Sequence, residues 1–155
     1  MGSYSFKSVG KTQVDTASET LVTAPTPVGI RTPMALGDKE GILKMSYSLA
    51  DQVGDNLRNL LMTNWGEHVG LYDMGANLRP LMSEFTTQED FDTSAVGRIK
   101  DAAARWMPYV ELEDFISVVD RTENKNTAVI KITITYNVPA LQLSGQKLQI
   151  VLYAL

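Results

Sequence analysis

The hydrophobic period of this chain switches from 3.6 to 2 near residue 110, and that switch divides helices from strands. Leu49, Val53, Leu57, Leu60 and Leu61 recur on one helical face, with Asp51, Asp55 and Arg58 opposite. Ser46 or Ser48 can cap this helix. A loop marked by Gly66, Gly70 and Gly75 follows it. Ala76 or Asn77 then opens a short helix through Leu78, Leu81 and Met82 to Phe85, where Pro80 is tolerated because it lies in the first turn. Between Thr86 and Trp106 the spacing predicts a long helix. Asp90, Asp92 and Thr93 suit its start, and Val96, Ile99, Ala103, Trp106 and Met107 repeat at offsets of three and four until Pro108 stops it. Arg98, Lys100, Asp101 and Arg105 are expected to face away.

Beyond Pro108 the alternation is that of strands. Val110 to Asp120 reads as one strand, irregular near Glu113 and Asp114, and a polar hairpin loop, RTENKN, follows. From Thr127 to Val138 the two faces are sharply separated: Ile130, Ile132, Ile134 and Tyr136 on one, Lys131, Thr133, Thr135 and Asn137 on the other. A turn around Ser144–Gly145 leads to a last strand from Lys147 to Leu155. Its segment Leu148 to Leu155 carries no charge and no proline. That is unusual for a sheet edge, where charges and prolines discourage unwanted pairing. An edge strand offered to a partner and a central strand covered on both faces explain it equally well.

Residues 1–40 show neither period. They are rich in Thr and Ser and carry Pro25, Pro27 and Pro33, which favour extended backbone. Phe6, Val14, Leu21, Val22 and Ile30 would let such an arm lie along a neighbour without forming a core, and plain terminal disorder explains the composition equally well. The expected fold is α+β: two main helices and a short one packed on a small, mainly antiparallel sheet. An extended arm over 1–40 precedes a single domain over 41–155.

Composition narrows the chemistry. The chain has 155 residues, 44% of them hydrophobic and 21% charged, as in a globular protein. No apolar run approaches the roughly 20 residues of a membrane helix, and the first residues lack the apolar core of a signal peptide. The absence of cysteine removes disulfides, thiolate nucleophiles and Cys-based metal sites. A net charge of −4 with no basic stripe argues against nucleic acid as a partner. His68, the one histidine, has no nucleophile-elbow pattern to serve, and the glycines of GLYDMG do not follow the phosphate-binding spacing. Glu67 and Glu84 could act as a glycosidase pair only if held at a suitable separation, and 18 acidic residues make some such pair almost inevitable. No cofactor, metal or catalytic residue is expected.

The block from Leu57 to Phe85, LRNLLMTNWGEHVGLYDMGANLRPLMSEF, resembles the baseplate wedge and sheath-initiator family of contractile-tailed phages. This lysozyme-like baseplate family is shared with type VI secretion systems and contractile bacteriocins. Leu60, Leu61 and Thr63 match its helix end, Gly66 and Glu67 the following pair, Asp73-Met74-Gly75 its acidic-Phe-Gly step, and Leu78, Leu81 and Phe85 its short helix. The similarity extends over roughly 41–155 through the order of elements. His68 replaces the usual Arg, Leu71-Tyr72 replaces a frequent Pro, and Met107-Pro108-Tyr109 stands where the family has Glu-Pro-Arg. The resemblance implies a non-enzymatic structural role in a tail baseplate, assembled in the host cytoplasm, with six copies around the tail axis. Implied partners are the tail sheath protein and other baseplate wedge proteins, with tube or hub proteins as further candidates. Gly66, Glu67, His68, Asp73, Gly75, Met107, Pro108 and Tyr109 would meet the baseplate. Leu148, Gln149, Ile150, Val151, Leu152 and Tyr153 would pair with a sheath strand. A secretion-system or bacteriocin counterpart, or a peptidoglycan hydrolase, is the alternative.

Overall fold

The computed structural model describes residues 26–37, 42–84, 87–121 and 128–154. Most of the arm, the tip of the RTENKN hairpin, Phe85, Thr127 and Leu155 lie outside the described residues. The described part is α+β, with three α-helices and two antiparallel sheets. β1 (Gly29–Ile30) pairs with β2 (Met45–Ser46), so part of the expected arm returns as a narrow ribbon. Its Thr32 N–H donates to Asp55 Oδ2 at 3.0 Å, tying the ribbon to the first helix.

That helix, α1 (Leu49–Met62), has the amphipathic face the spacing predicts: Val53, Leu57, Leu60 and Leu61 are buried. Leu49 departs from it. It lies in the first turn, beyond the reach of the core, and is exposed. α2 (Leu78–Glu84) starts one residue after Asn77, whose φ of 50° breaks the helical path. α3 (Gln88–Trp106) begins earlier than Asp90, because Thr87 is the cap: its Oγ1 accepts from the Asp90 N–H at 3.4 Å and donates to the Asp90 carboxylate. Its buried face is Phe91, Ala95, Ile99, Ala102 and Ala103.

Three strands follow in the order β3-β4-β5. β3 (Glu111–Arg121) pairs with β4 (Ala128–Val138) and carries the expected irregularity between Leu112 and Asp114. β4 pairs in turn with β5 (Leu143–Ala154), with Ile132 opposite Ile150 and Ile134 opposite Leu148. The connection differs from the expected turn at Ser144–Gly145. A 3₁₀ turn at Pro139–Leu141 closes with Gln142 at φ 55°, its N–H donating to the Pro139 carbonyl at 2.9 Å. The fixed φ of proline favours this earlier start. Ser144 and Gly145 therefore lie inside β5, where the Gly145 N–H meets Asn137 Oδ1 at 2.7 Å beside a second register shift.

One core joins these elements. Ile130, Ile132, Ile134 and Tyr136 of β4 and Leu148, Ile150 and Leu152 of β5 form the inner sheet face. α1 and α2 pack over β5 and α3 packs over β3. Each fully buried Leu or Ile contributes roughly 1.5–3 kcal/mol of transfer free energy. The opposite sheet face remains open among the described residues, with Ile116, Val118 and Tyr153 exposed.

Candidate interaction surfaces

The glycine loop between α1 and α2 is a built structure. Its returning end bonds to the end of α1: the Ala76 N–H donates to the Leu60 carbonyl at 3.3 Å and the Asn77 N–H to Thr63 at 3.2 Å. Two helix-terminal carbonyls are thereby satisfied. Gly75, at φ 113°, passes so close that an added Cβ would stand 2.2 Å from the Thr63 carbonyl oxygen. Farther out, the Gly66 N–H donates to the Tyr72 carbonyl at 2.7 Å, closing the loop across its neck. Glu67, itself exposed, folds back on the loop, accepting from the Asn64 backbone N–H at 2.7 Å and the Asn64 side chain at 2.8 Å. Those bonds, the backbone one first, hold its carboxyl below its ordinary pKa.

α3 braces this loop from the side. Arg98, expected to face water, donates from Nη1 to the Asn77 carbonyl at 2.6 Å and stacks over Trp65 at 5.4 Å. Arg105 pairs with Asp73, and the Trp65 indole N–H donates to the Gly75 carbonyl at 3.1 Å. Gly66, Glu67, Asp73 and Gly75 therefore hold the shape of the loop, and of these Gly66, Glu67 and Asp73 are also exposed. The loop also shows two large apolar side chains outward: Val69 is 90% exposed and Tyr72 71%. His68 is exposed too, its Nδ1 3.1 Å from the Val69 carbonyl. No sequence signal pointed to Val69 and Tyr72. Arg98 and Arg105 at the i and i+7 positions of one helix face were the only trace of the brace.

The Met107-Pro108-Tyr109 segment divides as well. Met107 is in the core at 4% exposure, whereas Pro108 is exposed and Tyr109 is 44% exposed. Only the last two are available to a partner without rearrangement.

At the sheet, the two edges differ. β3 forms one edge and carries Glu111, Glu113, Asp114 and Asp120 together with its bulge. Acidic side chains and a bulge are devices that discourage edge pairing. Asp120 is bonded at 2.9 Å by Lys131, which holds its carboxyl below the ordinary value. β5 forms the other edge, and no described strand pairs with its outer side. Leu148, Ile150 and Leu152 point into the core while Gln149 and Tyr153 are exposed and Val151 half-buried on the other face. Of the two explanations for the uncharged segment, the described geometry is that of an edge.

Among the described residues there is no cluster of three or more metal-ligating side chains, and no helix is long and apolar enough to cross a membrane. Glu84, itself exposed, lies 3.7 Å from the half-buried Arg98 in an ion pair.

The fold has a known counterpart. A chain in the cryo-EM structure of the anti-feeding prophage baseplate, solved with 6-fold symmetry, matches with a TM-score of 0.57 at 21% identity, over 70% of this chain and 82% of that one. At that identity the likeness is one of fold. A Geobacter sulfurreducens protein provisionally called a tail lysozyme matches with a TM-score of 0.47 at 19% identity, over 69% of this chain and 90% of that one. No family model and no curated protein matches the sequence.

Proposed function

We propose that this chain is a non-enzymatic structural component of a contractile-tail baseplate, and that its last strand starts the sheath by accepting an extended arm from the first sheath ring. The observation that carries the reading is the asymmetry of the sheet. Acidic residues and a bulge guard β3, while β5 ends in an unguarded edge from Leu148 to Ala154. A guest strand there gains main-chain hydrogen bonds that depend little on its sequence, and alternate side chains set its register. The fold shared with a chain of a six-fold baseplate supports the setting. Six such edges around a tail axis would add avidity to individually weak contacts. The same physical role would serve a phage tail, a secretion system or a bacteriocin.

A hydrolase that uses Glu67 as its general acid is disfavoured on physical grounds. A general acid needs a raised pKa, and Glu67 is shifted the other way by its bonds to Asn64.

Deleting β5 would test the strand poorly, because Ile150 and Leu152 belong to the core. Lysines on its outer face, Gln149→Lys with Val151→Lys, leave that core in place and discourage edge pairing. The expected outcome is a variant with an unchanged circular dichroism spectrum that enters tails lacking sheath. Tails with full-length sheath built on this variant would refute the strand-acceptor role.

A further inference from the structure

An open groove of about 410 Å³ lies between the last turns of α3 and the start of β3, lined by Lys100, Ala103, Ala104, Pro108, Val110 and Leu112. Its origin is local. Ala103 and Ala104 stop at Cβ, Pro108 ends the helix, and the β3 bulge follows directly after Leu112. Five of the six lining side chains are apolar. The sixth is Lys100, which brings a positive charge to the groove. Arg98 and Arg105 on the same helix are both engaged with the glycine loop, whereas Lys100 has no hydrogen bond or ion pair among the described residues. Among the described residues it is the cation of this stretch of α3 without an intramolecular partner.

We infer that this groove receives a bulky apolar side chain of a partner protein, with an Asp or Glu close to it. The apolar walls favour covering by an apolar group, and the unpaired amine selects a carboxylate over an ammonium. The helix end sets the direction. The partial negative charge of the α3 carbonyls gathers near Trp106 and repels an anion there. The carboxylate therefore lies at the Lys100 end, roughly two turns back, and the apolar group toward Pro108 and Leu112. Only the partner's identity as another baseplate protein rests on the reading above; the chemistry of the groove does not.

Two probes with the same apolar body and opposite charge test this: phenylbutyrate and phenylbutylamine, titrated into the full chain while amide NMR shifts are followed. Phenylbutyrate should shift Lys100, Ala104, Val110 and Leu112 saturably, and phenylbutylamine should bind at least about threefold more weakly, a gap that narrows in high salt. Lys100→Glu should reverse the preference. Ala104→Trp, at an exposed helical position, should abolish both without lowering the melting temperature. Absence of localised shifts, equal binding of the two probes, or an unchanged preference in Lys100→Glu would each overturn the inference. In purified tails the two ideas separate. Lys100→Glu and Ala104→Trp chains incorporated as well as wild type would remove the groove as a partner site and leave the baseplate reading standing. A wild-type chain absent from tails would remove that reading, and the titration would still judge the groove.

Discussion

At the scale of single residues, the glycines of the loop have unequal tasks. Gly66 and Gly75 both have positive φ, but nothing lies within 4 Å of a Cβ added at Gly66, while one at Gly75 would strike the Thr63 carbonyl. Gly66→Ala should therefore cost about 1 kcal/mol, for conformation alone. Gly75→Ala should cost about 3 kcal/mol or more, because backbone must move as well. Urea denaturation of the two variants checks the order, and equal losses would contradict it. Glu67 adds a pH dependence. Its pKa is lowered in the fold by the Asn64 bonds, so its contribution is complete above the ordinary carboxylate pKa of about 4.3. That contribution is lost as pH falls through the lowered value. Trp65 fluorescence should report loosening of the loop below about pH 4; in Glu67→Gln that transition should be missing.

At the scale of elements, α3 does more than cover the sheet. Its N-cap is a single side chain, and Thr87→Ala should cost about 1 kcal/mol in thermal denaturation. Along its length it presents two cations to the loop. Arg98→Ala should leave the far-ultraviolet spectrum unchanged yet speed hydrogen exchange at Ala76 and Asn77, since the Asn77 carbonyl loses its charged donor. Uniform protection across wild type and variant would mean that the loop holds itself. The sheet edges are the other element-scale contrast: β3 and β5 are both outer strands in the pairing order, and the acidic side chains and bulge of β3 have no counterpart from Leu148 to Ala154 of β5.

For the whole molecule, one core ties helices to sheet, so functional and structural losses must be distinguished by position. Leu57 is fully buried beneath the sheet, and Leu57→Ala should destabilise the entire domain by roughly 2–5 kcal/mol. Tyr109 is half exposed at the end of α3. Tyr109→Ala should weaken incorporation into baseplates more than it lowers the melting temperature. Parallel losses in both would assign Tyr109 to packing.

Much of this architecture was legible in order, because helical and strand periods are local properties of the chain. The face of β4 that carries Ile130, Ile132 and Ile134, the core stripe of α1 and the irregularity before Asp114 all follow from which neighbours are apolar. Boundaries set by particular side chains were less legible: Thr87 rather than Asp90 starts α3, and Pro139 rather than Gly145 turns the last hairpin. What local pattern determined was the uncharged character of Leu148 to Leu155. Whether that segment is a centre or an edge depends on which strands pair across the sheet, and only the tertiary structure decided it. The same holds for Arg98, Arg105, Gly75 and Met107. Their partners lie 12 or more positions away or on other elements, and periodicity carries no information about contacts made at that separation.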